Sequence, residues 1–173
     1  MSNSLLLQAC CAPCSSAVLE KLAPEYKLTV LFFNPNIQPE AEYQKRLAQF
    51  AKLQEYFAFE LSAPPYEPQE WLDLTKDLAA APEGGARCQI CFNYRLAYAA
   101  AQAEGCAGFA TTLSISPQKN FAQITSAGEE AARRQGGKFL NFDFRSLYPR
   151  SRQLSRELGL YRQKYCGCLY AAR

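Results

Sequence analysis

The chain has 173 residues, of which 49% are hydrophobic and 20% charged, and its formal net charge is +3. This composition is typical of a single globular domain over residues 1–173 and excludes a disordered or fibrous protein. The chain also has eight cysteines and no histidine. The lack of histidine excludes serine–histidine and cysteine–histidine catalysis, Cys2His2 zinc sites and histidine-ligated haem.

Strands and helices are predicted to alternate along the whole length. In chain order the pattern predicts strand 4–10, helix 15–22, strand 27–34, helix 40–57, strand 57–61, helix 70–80, helix 88–104, strand 106–112, helix 121–135, strand 138–142 and helix 149–158. This alternation predicts a three-layer α/β domain with a mostly parallel sheet. Ligands of such sheets bind beyond the carboxyl ends of the strands, where Cys10, Asn34, Thr112 and Phe142 stand.

Seven of the eight cysteines fall into three groups. Cys10, Cys11 and Cys14 occupy the turn between the first predicted strand and helix, where their sulfurs can converge on a metal. Cys88 and Cys91 are three residues apart in the first turn of a helix, so both sulfurs can reach one ion or cluster.

The third group, Cys166-Gly167-Cys168, can close a small disulfide ring that is strained and easily reduced. Cys106 stands alone and is interpreted as a small buried apolar residue. A structural zinc ion would use four sulfurs of the three groups and leave three over. An iron–sulfur cluster with a redox disulfide would use six and leave Cys14 as a spare ligand.

No apolar run approaches the length of a membrane span, and no basic residue precedes the leucine run 5–7. These features predict a cytoplasmic protein without a membrane anchor. In that compartment, clustered cysteines are more often metal ligands or redox groups than structural disulfides.

Positive charge is concentrated near the end of the chain. Residues 133–173 carry ten lysines and arginines against two acidic residues, whereas residues 1–132 carry nine against fourteen. The basic residues are Arg133, Arg134, Lys138, Arg145, Arg150, Arg152, Arg156, Arg162, Lys164 and Arg173. This asymmetry predicts a polyanion partner, with an ordinary solvated helix face as the alternative.

Several short motifs together resemble one family, the QueH-type epoxyqueuosine reductases. They are Leu6-Leu7-x-x-Cys10-Cys11-Ala12-Pro13-Cys14, Phe33-Asn34-Pro35-Asn36-Ile37, Arg87-Cys88-x-x-Cys91-Phe92, Thr111-Thr112-Leu113-x-x-Ser116-Pro117-x-Lys119 and Tyr161-Arg162-Gln163-x-Tyr165-Cys166-Gly167-Cys168. The resemblance implies a Rossmann-like fold of the adenine-nucleotide α-hydrolase kind. It also implies the final step of queuosine synthesis, in which epoxyqueuosine in the tRNA anticodon loop is deoxygenated.

The resemblance further implies a [4Fe-4S] cluster and no cobalamin. By position, Cys10, Cys11, Cys88 and Cys91 would hold the cluster, and Cys166 with Cys168 would form a redox-active pair. Cys14 falls where some members have Asp and is a candidate ligand of a second iron. Members commonly have His where this chain has Gln8, which cannot act as an acid but can hydrogen-bond.

Substrate contacts are expected from three parts of the chain. Thr111, Thr112, Ser114 and Ser116 end a strand at the active edge and are candidates to hydrogen-bond the cyclopentane diol, although ordinary turn chemistry is the alternative. Lys119, Tyr161 and Tyr165 are candidate proton donors, and Arg162 with Tyr170 suits phosphate contact and base stacking. An external electron donor such as a ferredoxin or flavodoxin is expected.

Two other functions fit the cysteines. One is a thiol–disulfide oxidoreductase or tRNA thiolase on the same fold, although the Ser-Gly-Gly-x-Asp-Ser phosphate loop of ATP-dependent thiolases is absent. The other is a zinc-stabilised RNA-binding module. Absorbance at about 400 nm would indicate iron–sulfur charge transfer, whereas zinc is colourless.

Overall fold

A computed structural model describes residues 3–171 and contains one four-stranded sheet. The strands are β1 (Ser4–Gln8), β2 (Lys27–Leu31), β3 (Phe59–Ser62) and β4 (Phe109–Thr111). The helices are α1 (Ala12–Leu22), α2 (Glu40–Ala48), α3 (Phe50–Gln54), α4 (Gln69–Thr75), α5 (Ala86–Gln102), α6 (Phe121–Gln135) and α7 (Tyr148–Glu157). Short 3-10 helices cover Lys76–Leu78, Thr112–Ile115 and Arg145–Leu147.

All strand pairs are parallel, and the order across the sheet is β3-β2-β1-β4. Gln8 at the end of β1 is paired with Leu31 on one side and Thr111 on the other. The strand order reverses between β1 and β4, and a reversal of this kind opens a crevice at the carboxyl edge of the sheet. The first cysteine group follows β1 at this point.

Helices cover both faces of the sheet because side chains alternate along each strand. Leu5 and Leu7 of β1 point into one core with α1 and α3, whereas Leu6 points into a second core with α5 and α6. These leucines are between 0% and 3% exposed, and each contributes about 2 kcal/mol by leaving water. The predicted three-layer α/β architecture is confirmed.

The predicted fifth strand at 138–142 is wrong. Only one isolated parallel bridge forms there, between Phe109 and Phe139. The partner strand β4 is three residues long, because Thr111 caps the following 3-10 helix by accepting from the backbone N–H of Leu113. Residues 141–142 therefore have no strand edge beside them.

The predicted helix 40–57 is interrupted. It divides into α2 and α3 at Gln49, whose backbone N–H bonds to the carbonyl of Arg46 at 3.2 Å. The Gln49 side chain accepts the backbone N–H of Tyr161 at 3.0 Å, so the junction also holds the C-terminal segment. None of the helices described within residues 3–171 has the length and hydropathy to cross a bilayer.

Candidate metal centre

The turn that follows β1 brings three sulfurs together. Cys11 is the N-cap of α1 in an extended conformation, and Pro13 occupies the first turn, where its missing N–H costs nothing. The sulfurs of Cys10, Cys11 and Cys14 all lie within 4.8 Å of one another. Within residues 3–171, no other three Cys, Asp or Glu side chains meet so closely.

These three thiols have very different acidities. Hydrogen bonds with the thiols of Cys11 and Cys14 hold the pKa of Cys10 well below its ordinary value, against burial. The hydrogen bond with Cys10 raises the pKa of Cys11 to about 12, and hydrogen bonds with Cys10 and Cys11 raise that of Cys14. Cys10 is therefore the group that carries negative charge most readily, and a thiolate is the form that binds metals.

Residues at the end of β4 fix the position of Cys10. The Oγ1 of Thr112 accepts from the backbone N–H of Cys10 at 3.4 Å and lies 3.8 Å from its sulfur. The Oγ1 of Thr111 donates to Gln8 Oε1 at 2.8 Å and accepts from Leu113 N–H at 3.1 Å. Both threonines are buried, so their hydroxyls support the sulfur group from within the protein.

A buried polar network connects this turn to helix α5. Gln8 donates to Asn34 Oδ1 at 3.3 Å, and Asn34 Nδ2 donates to the carbonyl of Ala9 at 2.8 Å. Arg95 donates to the same Asn34 oxygen at 2.6 Å, and its other terminal nitrogen lies 3.9 Å from the sulfur of Cys91. Gln8 thus acts as a hydrogen-bonding residue in a buried position.

Cys88 and Cys91 lie on the first two turns of α5. The sulfur of Cys88 accepts from the backbone N–H of Gly84 at 3.2 Å, and burial raises its pKa. Cys91 is 8% exposed and packs with Trp71 and Cys168. Neither sulfur belongs to the 4.8 Å group of Cys10, Cys11 and Cys14.

The C-terminal cysteine pair is held in place by a buried arginine. Arg46 on α2 is 2% exposed and donates to the carbonyls of Cys166 and Tyr165, both at 3.1 Å. Its third partner is Glu42, at 2.7 Å. The Tyr165 hydroxyl donates to the carbonyl of Gln38, so two side chains anchor a segment without helix or strand.

Cys166 and Cys168 are free thiols, as are the other six cysteines. A hydrogen bond from Cys168 lowers the pKa of Cys166 to about 6, and the Cys168 backbone N–H also approaches this sulfur, at 3.4 Å. The pKa of Cys168 is raised in turn by the Cys166 thiolate and by burial. The pair consists of a thiolate beside a thiol.

Lys119 links the three cysteine groups electrostatically. Its ammonium charge acts to lower the pKa of Cys10, of Cys88 and of Cys166, which come from the β1 turn, α5 and the C-terminal segment. Arg95 acts in the same sense on Cys10 while contacting Cys91. Packing agrees with this, because Cys10 and Cys88 contact the same core and Cys91 packs with Cys166 and Cys168.

The other predicted site residues lie around this region. Ser116 is partly buried and accepts from the backbone N–H of Gln118 at 3.3 Å, and buried Ser114 donates to the carbonyl of Phe142 at 2.8 Å. The Tyr161 hydroxyl donates to Glu42 at 3.0 Å, and the ring of Tyr170 stacks on Trp71 at 6.2 Å. Arg162 is exposed and lines a cavity that also contains Cys14.

Gly167 occupies a position that only glycine fits without strain. Its φ is +101°, and a Cβ there would lie 2.8 Å from Ile37 Cγ1. We expect Gly167→Ala to lower the unfolding free energy in urea by about 1–2 kcal/mol and to displace the cysteine pair. Gly159→Ala is the matched control, because Gly159 has φ +59° with no atom within 4 Å. The cost of a positive φ is common to both variants, so only Gly167→Ala is expected to displace the cysteine pair and lower activity. Equal losses of activity in both variants would contradict the prediction.

Sequence reasoning missed the buried arginines. Arg87, Cys91 and Arg95 are spaced i, i+4, i+8 and therefore share one face of α5. This spacing is the feature of the sequence that could have predicted the burial of both arginines beside a cysteine. Arg87 is 3% exposed and donates from one nitrogen to three carbonyls, those of Leu78, Ala79 and Ala81. These bonds hold the loop that precedes Cys88.

The surroundings of the sulfurs fit a negatively charged metal group. Arg87, Arg95 and Lys119 form no ion pair with a carboxylate in residues 3–171. The buried Nε atoms of both arginines and Nε1 of Trp71 have no hydrogen-bond acceptor. Uncompensated cations and unused donors beside soft thiolates fit an anionic iron–sulfur or thiolate–metal centre.

Comparisons with known proteins identify one family. Residues 5–173 match the family model described as "QueH: Epoxyqueuosine reductase QueH". A protein of Streptococcus pyogenes serotype M1 named "Epoxyqueuosine reductase QueH" is 39% identical, over 98% of this chain and 71% of the relative. Proteins of the same name from Dehalococcoides mccartyi and Thermotoga maritima are 37% and 35% identical. The alignments cover 99% and 98% of this chain and 93% and 90% of those relatives.

Proposed function

Because the chain belongs to the QueH family of epoxyqueuosine reductases, we propose that it reduces epoxyqueuosine in a tRNA anticodon loop to queuosine. The observation that carries this proposal is the packing of the three cysteine groups: Cys10 and Cys88 pack against the same core, and Cys91 packs with Cys168. A tRNA thiolase or a zinc-stabilised module is not favoured by any comparable observation.

Conversion of an epoxide into an alkene takes up two electrons and two protons and releases one water. Both carbon–oxygen bonds of the epoxide break, and a carbon–carbon double bond forms. The site must therefore deliver electrons, stabilise negative charge on the departing oxygen and protonate that oxygen. The residues present divide into groups that suit these tasks.

Cys10, Cys11, Cys88 and Cys91 are the proposed holders of a [4Fe-4S] cluster, which would supply single electrons when bound. Cobalamin is not part of this proposal. Cys14 completes the 4.8 Å group with Cys10 and Cys11 and is the proposed ligand of a second iron. Thr112, Gln8 and Arg95 keep these thiols in position through the contacts described above.

The C-terminal pair is the proposed two-electron reservoir. Oxidation of the Cys166 and Cys168 dithiol to a disulfide releases two electrons and two protons, which is the amount that one epoxide consumes. Lys119 is the proposed electrostatic partner of the departing oxygen, because its charge acts on all three cysteine groups. Tyr165 positions the pair through its hydrogen bond to the Gln38 carbonyl.

The proposed partners follow from this chemistry. The substrate is an unpaired base in an RNA loop, which proteins bind by stacking and by phosphate contacts. A ferredoxin or flavodoxin is the proposed external reductant that restores the dithiol. Eight free cysteines suit a reducing compartment, so we place the protein in the cytoplasm.

The test is turnover by anaerobically purified protein. Incubation with dithionite and tRNA that carries epoxyqueuosine is expected to yield queuosine, detected by mass spectrometry of digested nucleosides as the loss of one oxygen. Metal analysis of the same sample is expected to find iron and sulfide, with absorbance at about 400 nm. A colourless zinc protein that leaves the epoxide intact would contradict the proposal.

A further inference from the structure

A cavity of about 380 Å³ opens beside the sulfur group. Helix α1 contributes Pro13 and Cys14, α7 contributes four residues, and the segment 162–164 closes the third side. Because the Cys14 sulfur lies within 4.8 Å of those of Cys10 and Cys11, a ligand in this cavity is adjacent to the metal centre.

The charge of this cavity is positive and uncompensated. Arg152, Arg162 and Lys164 line it, no Asp or Glu does, and these three cations form no ion pair within residues 3–171. Four other basic residues of the segment 133–173 are paired on the surface: Arg133 and Arg134 with Glu130, Arg145 with Asp143, and Arg150 with Glu20. Lys138 and Arg156 form no ion pair within the described residues and do not line the cavity. Arg173 lies outside the described residues.

Two features of the cavity walls favour the binding of an anion. The N-terminus of α1 faces the cavity, and its first turn has no acidic residue to offset the helix dipole. Ser151 and Ser155 are small, and their hydroxyls donate to the carbonyls of Tyr148 and Ser151. The serines therefore leave room for a ligand, while the cations remain available to bind one.

We infer that this cavity binds a backbone phosphodiester of the substrate RNA and thereby places the modified nucleoside at the sulfur centre. The inference rests on the proposed function for the identity of the RNA. Guanidinium groups bind phosphate through two parallel hydrogen bonds, and the ammonium group adds a point charge. Within residues 133–171, three of the five cations without an ion pair line the cavity that contains Cys14.

Binding of an anticodon stem-loop RNA by the intact protein tests this site. The variant Arg152→Ala/Arg162→Ala/Lys164→Ala is expected to bind at least about tenfold more weakly at 0.15 M salt, measured by fluorescence anisotropy. The slope of log affinity against log salt is expected to decrease in magnitude by about 2, because about 0.7 is lost per single-strand phosphate contact. The matched control Arg133→Ala/Arg134→Ala/Arg145→Ala removes the same charge from paired positions and is expected to change both quantities little.

Equal weakening in both triple variants would overturn the inference, since net charge alone would then explain binding. Native affinity in the first variant would overturn it too, as would tight binding of inorganic phosphate that stem-loop RNA fails to displace. Both variants are expected to keep the absorbance of the metal centre and the native circular dichroism. If the native protein leaves the epoxide intact but the binding difference appears, the proposed function fails and the RNA site remains.

Discussion

Replacing Cys88 by serine is expected to abolish iron binding at the metal centre while leaving the fold intact. Cys88 is partly exposed, and its sulfur accepts a hydrogen bond from the Gly84 N–H that a serine oxygen also accepts. The loss of a soft thiolate ligand removes affinity for iron without creating a cavity. We expect the iron content, the sulfide content and the turnover each to fall by at least about a hundredfold. This decrease is larger than the one expected when a residue that only hydrogen-bonds a metal ligand is replaced.

Cys106→Ser is the matched control for Cys88→Ser. Cys106 is also a partly buried free cysteine, but it lies at the opposite edge of the sheet, before β4. Anaerobic reconstitution of both variants, followed by iron and sulfide analysis, measures the difference. Retention of iron by Cys88→Ser at the level of Cys106→Ser would remove Cys88 from the ligand set.

Cys166→Ser is expected to show the opposite pattern, with a native metal centre and turnover reduced by at least about a hundredfold. Serine cannot form the disulfide that releases two electrons. The absorbance at about 400 nm is expected to be unchanged, because Cys166 lies outside the proposed ligand set. Loss of that absorbance would instead show that Cys166 is a ligand.

Alkylation gives an independent measurement of the same pair. With a pKa of about 6, Cys166 is mainly thiolate at pH 7 and is expected to react with iodoacetamide there. Below pH 6 the thiolate is protonated and the reaction is expected to slow. Cys168→Ala removes the hydrogen bond that lowers this pKa, so the reaction at pH 7 is expected to slow and to recover only at higher pH. An unchanged pH profile would show that Cys168 does not activate Cys166.

The part of the site that follows from the sheet topology was predictable. Cys10 and Thr112 are each the last residue of a predicted strand, and parallel strands end at one edge, so their contact at 3.8 Å could be expected from the sequence. The absence of a strand at 138–142 could not be predicted from the sheet topology. Whether Phe139 continues a ladder depends on the length of β4, and Thr111 ends β4 early by capping the next turn.

The polar framework behind the sulfurs was not predictable with the same methods. Arg46 reaches the carbonyls of Tyr165 and Cys166 across a separation of about 120 residues, and no local pattern encodes that contact. Composition rules assign arginine to the surface, yet Arg46, Arg87 and Arg95 are all at most 3% exposed. For Arg87 and Arg95, their place on the same face of α5 as Cys91 is the pattern that would have indicated burial.

The central place of β1 in the sheet has a consequence for how the proposed cluster would be acquired. The strand that leads into the double-cysteine turn is paired on both sides, and the turn is hydrogen-bonded to Thr112 and Asn34. Zinc fingers, in contrast, gain their fold from the metal itself. Here β1 and the hydrogen bonds of its turn belong to the packed sheet, so the proposed cluster would be added to a folded chain, and we expect a depleted chain to be reloaded without refolding.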